Sequence, residues 1–230
     1  MKNKKLIIFD FDGVIYDATE MQMQRIIDSA SLALNQFETK SEVPSHNFLK
    51  KYWGISILQM SQIFMEKLNW NRNEANLFLF YEKGKKDYFE DGLANSFHKL
   101  AVKIKDKGLN MAICSNRYSA SFYKLAKELR LNIDDFEFII LGDSLLDGIR
   151  KPDKRVLDPI FRTYTKNQVI LVGDTILSDL ETAINTKIDF IGISSILHSR
   201  LDFTESFKKA HIENDYFVLD ELSQLETLLT

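Results

Sequence analysis

The sequence predicts an α/β fold, a doubly wound parallel sheet carrying one helical insertion. The first observation is a series of short apolar runs: Leu6-Ile7-Ile8-Phe9, Met111-Ala112-Ile113-Cys114, Phe138-Ile139-Ile140-Leu141, Val169-Ile170-Leu171-Val172 and Phe190-Ile191-Gly192-Ile193. Each is too short for a helix and none alternates with polar residues, which is how strands buried on both faces of a parallel sheet read. The second is what separates them: helical stretches over residues 95–107, 119–131, 154–164 and 176–186. Strand and helix in succession imply a doubly wound sheet. The third is a break in that rhythm. From Asp17 to Asp91 no strand-like run occurs, and apolar residues fall at helical spacing instead.

The insertion follows the first strand. Ile26, Ile27, Ala30, Leu34 and Phe37 mark one helix, and Leu58, Ile63, Met65 and Leu68 a second. Leu77, Phe78, Phe80, Tyr81 and Tyr88 mark a third. A segment of this length exceeds any ordinary loop and reads as a subdomain, with these apolar and aromatic side chains as its core. Asp17 has the chemistry to cap its first helix. The expected division is residues 1–16 and 92–230 for the α/β core and 17–91 for the helical insertion. Residues 220–229 read as a terminal amphipathic helix.

Composition narrows the function. The 30 basic and 33 acidic residues leave a net charge of −3, which gives no electrostatic reason to expect nucleic acid as a partner. With one cysteine, an intramolecular disulfide framework and a Cys-rich zinc site are both excluded. His46, His98, His198 and His211 are scattered without ligand spacing. The start is basic, then apolar for only a few residues before Asp10, too short for a secretory signal. No stretch approaches the roughly 20 apolar residues of a membrane span. A cytoplasmic protein with no membrane partner is expected, and monomer and dimer both stay open.

In open α/β sheets, ligands bind at the carboxyl ends of the strands. The first run ends in Asp10-Phe11-Asp12-Gly13 and the second in Ser115-Asn116-Arg117. The third leads into Lys151-Pro152-Asp153, and the fourth ends in Gly173-Asp174, with Asp179 further on. Two carboxylates about 4 Å apart repel by roughly 4 kcal/mol at an effective dielectric near 20, so such a cluster needs a cation. Oxygen ligands without His or Cys favour Mg²⁺. Mg²⁺, a lysine, a serine hydroxyl and backbone N–H groups together make a phosphate site. Asp10 has the chemistry to attack phosphorus, and Asp12, from the same strand end, to serve as general acid and then base.

The DFDGV, ICSNR, RKPD and GDTILSD segments, in that order, resemble the four motifs of the haloacid dehalogenase superfamily over nearly the whole chain. The insertion resembles that family's C1 cap, and residues 210–229 the end of its phosphoglycolate-phosphatase-like members. The resemblance implies a Rossmann-like core and an Mg²⁺-dependent phosphatase acting on a small phosphorylated metabolite through an aspartyl-phosphate. It implies Asp10 as nucleophile and Asp12 as acid/base. Asp10, the Asp12 carbonyl and Asp174 would ligate the metal, with Asp179 at its edge or reaching it through water. Ser115 and Lys151 would hold the phosphoryl group, with Asn116 and Trp53 among the substrate contacts. Trp53 lies beside Gly54, which favours a pocket loop.

Other branches fit less well. The dehalogenase branch lacks an Asp at the position of Asp12. Sugar-phosphate mutases carry His, Lys, Arg and Glu where this chain has Gln22, Trp53, Ile57 and Gly173. A mutase is the nearest alternative reading, and a non-catalytic phosphate-binding regulator the alternative from another class. Receiver domains share the acidic cluster but are about half this length and carry the phosphorylated Asp after a later strand. Arg117 reads as a surface charge and Cys114 as core packing.

Overall fold

Six strands form one all-parallel sheet in the order β3-β2-β1-β4-β5-β6. The structure, a computed structural model, describes residues 3–84, 91–210 and 215–229. In chain order the elements are β1 (Leu6–Phe9), α1 (Thr19–Leu34), α2 (His46–Lys51), α3 (Ile57–Lys67), α4 (Arg72–Gly84) and α5 (Asp91–Asp106). Then come β2 (Asn110–Cys114), α6 (Ser119–Glu128), β3 (Phe136–Ile140), α7 (Asp158–Phe161) and β4 (Val169–Gly173). The chain closes with α8 (Glu181–Thr186), β5 (Asp189–Ile193), α9 (Arg200–Lys209) and β6 (Tyr216–Leu219). The α/β class and the parallel sheet are as the apolar runs predict.

The chain order reverses between β1 and β4, so the topological switch point lies there. β1 is central, and all four of its residues are fully buried. Each such Leu, Ile or Phe stabilises the fold by about 1.5–3 kcal/mol. Leu6 and Ile8 share a core with Leu171, Phe190 and Ala112, while Phe9 meets Phe97 edge-on at 5.3 Å.

The chain divides into two compact units, Met1–Asp17 with Phe89–Thr230, and Ala18–Tyr88. The second holds α1 to α4. Phe64, Trp70 and Phe78 form its aromatic centre, with ring centroids 5.0–5.8 Å apart. Ser29 of α1 donates to the Glu82 carboxylate of α4 at 2.5 Å, and Arg25 lies 3.3 Å from it. Ser56 and Gln59 form a capping box at the start of α3.

Several expectations need correction. Met60, Phe64 and Leu68 are the buried face here, while Leu58 and Met65 are exposed, because the helix starts at Ile57 and its inward stripe runs from Met60. Phe80 is 70% exposed, with Phe78 taking the inward position. Phe37 lies beyond the end of α1 and is exposed. Tyr88 lies outside the described residues. Ala18, not Asp17, is the N-cap of α1. The stretch 154–164 is a 3₁₀ turn, Lys154–Leu157, followed by the short α7. The tail is a 3₁₀ helix, Leu222–Leu228. Its leucines recur at 222, 225 and 228, the three-residue period at which 3₁₀ side chains align.

Candidate active site

Asp10 follows β1 directly, and its N–H extends the ladder by donating to the Val172 carbonyl at 2.9 Å. The carboxylate accepts from the Phe11 N–H at 2.7 Å and lies 2.9 Å from Lys151 Nζ. The chain then turns tightly, with Ile15 and Tyr16 N–H groups both donating to the Phe11 carbonyl. Gly13 makes the turn possible. Its φ of +79° lies in the region that favours glycine, and a Cβ there would collide with the Asp174 carboxylate. The Asp12–Gly13 peptide is thereby set beside that carboxylate.

Asp174 follows β4 directly, across the switch point from Asp10. Five residues on, Asp179 returns to the same place through a π-turn, Ile176–Leu180, in which the Leu180 N–H donates to the Thr175 carbonyl at 3.1 Å. Gly173 admits it, since a Cβ there would overlap the Asp179 side chain. Ligand oxygens of Asp10, Asp174 and Asp179 lie within 4.8 Å of one another, and all three residues are buried. Among the described residues this is the acidic group able to hold a metal ion.

The three carboxylates differ in how they are satisfied. Asp179 is pinned on both oxygens, to Lys151 Nζ on one and to the Thr175 N–H (3.0 Å) and hydroxyl (2.7 Å) on the other. Asp10 shares Lys151. Both oxygens of Asp174 are buried without a hydrogen-bond partner. Burial, and then the Asp179 charge, push the Asp10 carboxyl up to about 7 against the pull of Lys151. Burial, with Asp179 and Asp10, raises Asp174 well above the usual carboxylate range. Burial works against the Lys151 ammonium, but Asp10 and Asp179 override it and hold its pKa above the ordinary value. Three acidic groups facing one lysine, with two oxygens undonated, form a donor set that fits a hard divalent cation.

Asp12 turns to a different partner. Arg117 Nη2 donates to its Oδ1 at 2.6 Å and Nε to its Oδ2 at 3.0 Å. The Arg117 side chain is only 10% exposed, so its reading as a surface charge is overturned: a carboxylate and the Phe11 ring enclose it. Ser115, buried at the end of β2, donates its N–H to the Ile140 carbonyl, and its Oγ accepts from the Arg117 N–H. Asn116 Nδ2 donates to the Lys151 carbonyl at 3.1 Å, tying the second and third motifs together. Cys114, the last residue of β2, is fully buried and its thiol is pushed up to about 12 by that burial. Trp53 lies after α2 in the helical unit, half-buried. Sequence reasoning missed Arg117 and Thr175. Arg117 lies two positions past Ser115 as Asp12 lies two past Asp10, but that spacing shows its partner only with the pairing of β1 and β2. Two clefts of about 280 and 290 Å³ open at the opposite, amino edge of the sheet, among residues such as Lys4, Lys166, Lys105 and Asp135.

Solved structures share this fold. A predicted phosphoglycolate phosphatase from Haemophilus somnus 129pt superposes with a TM-score of 0.72 at 18% identity, over 100% of both chains. A provisionally assigned HAD-hydrolase from Bacillus subtilis, YfnB, bound to magnesium, gives 0.60 at 16% over 100% of both. A provisionally assigned beta-phosphoglucomutase from Thermotoga maritima gives 0.61 at 16% over 98% of both. No curated protein sequence matches the chain. A family model of haloacid dehalogenase-like hydrolases matches residues 7–193, from within β1 to the end of β5. The chain belongs to the haloacid dehalogenase-like hydrolases.

Proposed function

We propose that the protein is an Mg²⁺-dependent phosphatase of small phosphorylated metabolites, working through an aspartyl-phosphate on Asp10. The observation that carries this is Asp10 tied to Lys151 beside an Asp174 whose buried oxygens have no donor. A metal held by Asp10, Asp174 and the Asp12 carbonyl would offset their repulsion and polarise a phosphoryl oxygen. Asp179, already engaged by Lys151 and Thr175, orients the lysine from outside that ligand set.

An Asp10 oxygen attacks phosphorus as the ester P–O bond breaks, and the leaving oxygen takes a proton from Asp12. Water then attacks the aspartyl-phosphate, Asp12 accepts its proton, and phosphate leaves with the Asp10 carboxylate restored. Ser115 and Lys151 hold phosphoryl oxygens, and Asn116 keeps Lys151 in register. We assign residues 17–91 as the C1 cap, with Trp53 among its substrate contacts. The relatives described as a phosphoglycolate phosphatase and as a magnesium-bound hydrolase support the substrate class and the metal by analogy of fold.

A panel of phosphorylated metabolites with Mg²⁺, with EDTA as control, tests the reading. Stoichiometric free phosphate that disappears in EDTA is expected. Isomerised sugar phosphate with little free phosphate would replace it with a mutase, and no turnover with retained phosphate binding would replace it with a regulatory binder.

A further inference from the structure

We propose that Arg117 is a positioning residue that aims Asp12 at the leaving-group oxygen. The proposal rests on the phosphatase reading above. Nε and Nη2 of the guanidinium form a planar fork: Nη2 donates to Asp12 Oδ1 at 2.6 Å, and Nε to Oδ2 at 3.0 Å and to Oδ1 at 3.2 Å. The fork engages both oxygens and so fixes the plane of the carboxylate.

The guanidinium is itself fixed from several sides. Nη1 donates to Ser121 Oγ of α6 at 2.6 Å, and Cζ lies 5.9 Å from the Phe11 ring centroid. Its backbone N–H is tied to Ser115 Oγ at 3.2 Å, and its carbonyl accepts from the Gly142 N–H at 2.9 Å. Gly142 permits this approach, because a Cβ there would collide with the Asn116 carbonyl. The Asp12 side chain is 27% exposed and that of Arg117 10%. Direction is what this arrangement supplies. A lysine, a point charge on a flexible stem, has no such fork.

The test measures kcat and KM with Mg²⁺ on an alkyl phosphate, which needs a proton on its leaving oxygen, and on 2,4-dinitrophenyl phosphate, which does not. Wild type, Arg117→Ala, Ser121→Ala, Asp12→Asn and the double variant Asp12→Asn/Arg117→Ala are compared. General acid–base catalysis is worth about 10²–10⁴-fold, and mis-aiming the group loses part of that. Arg117→Ala is expected to lower kcat/KM, which reports the step that expels the leaving group, by about 10- to 100-fold on the alkyl phosphate and by less than about 3-fold on the dinitrophenyl ester. In the Asp12→Asn background Arg117→Ala costs nothing further, since the two act as one unit. Ser121→Ala keeps the guanidinium and loosens its anchor, so a smaller loss with the same leaving-group dependence carries the test even where Arg117→Ala does not fold. Equal losses on both esters, additive losses in the double variant, or a faster Arg117→Ala enzyme would overturn the proposal alone. A wild-type protein inactive on every ester would overturn the phosphatase reading and this role with it.

Discussion

Asp174 has two buried oxygens without donors, beside an Asp10 carboxyl pushed up to about 7, so the metal-free site carries protons that the unfolded chain would release. A carboxyl whose folded pKa lies above its ordinary 3.8 stabilises the fold fully below that value and loses the contribution as pH climbs through about 7. In EDTA the melting temperature is therefore expected to fall from about pH 4 to about pH 7. Mg²⁺ displaces those protons, so the rise in melting temperature on adding it should grow across the same window. A metal effect that shrinks with pH would contradict the assignment. Asp10→Asn is expected to abolish turnover with the fold intact, and Asp12→Asn to lose roughly 10²–10⁴-fold. Phosphate release and circular dichroism on the same samples check both. The carboxylates, Ser115 and Lys151 were legible in the sequence because each follows a strand, and parallel strands bring their carboxyl ends to one edge. The partner of Arg117 was not, because a charge two residues past a motif shows its partner only once neighbouring strands are known.

At the scale of elements, the π-turn after β4 reconciles a spacing with a position. Asp179 lies five positions after Asp174, one more than an α-turn places on one side, and the wider turn absorbs the extra residue. Thr175 holds the result through two bonds to Asp179 Oδ2. Thr175→Val removes the hydroxyl at nearly constant shape and leaves a buried carboxylate short of one donor. A loss of about 1–3 kcal/mol is expected by chemical denaturation, together with a lower kcat as Lys151 loosens. An unchanged midpoint and kcat would deny the turn this role. The runs of β1, β2, β4 and β5 were readable as strands because burial on both faces erases alternation, and that of β3, an edge strand with Glu137 exposed, because Phe138, Ile139 and Ile140 are still consecutively apolar. β6 was legible too: Tyr216-Phe217-Val218-Leu219 is as continuous an apolar run as the other five. The 3₁₀ tail escaped because a leucine every third residue also satisfies a coarse helical reading.

For the whole molecule, two units with separate cores mean that substitutions report separately. Both tryptophans, Trp53 and Trp70, belong to the helical unit, so tryptophan fluorescence follows that unit alone. Phe64 is fully buried against Trp70 and Phe78. Phe64→Ala is expected to destabilise the unit by about 3–5 kcal/mol, seen as an earlier fluorescence transition in urea. A transition within about 1 kcal/mol of wild type would show that this aromatic centre does not hold the unit together.

The position of β1 also governs the order in which the molecule can be made. The strand at the centre of the sheet is the first to leave the ribosome, yet its neighbour β4 comes about 160 residues later. At about 5–20 residues per second, Leu6–Phe9 waits roughly 10–30 s with one edge unpaired. During translation the four most deeply buried consecutive residues of the sheet are a sticky nascent segment, and the Asp10 pocket cannot close until β4 is released. Ribosome-bound chains arrested before Val169 should then be the ones that a ribosome-associated holdase grips, with release once Gly173 has cleared the exit tunnel.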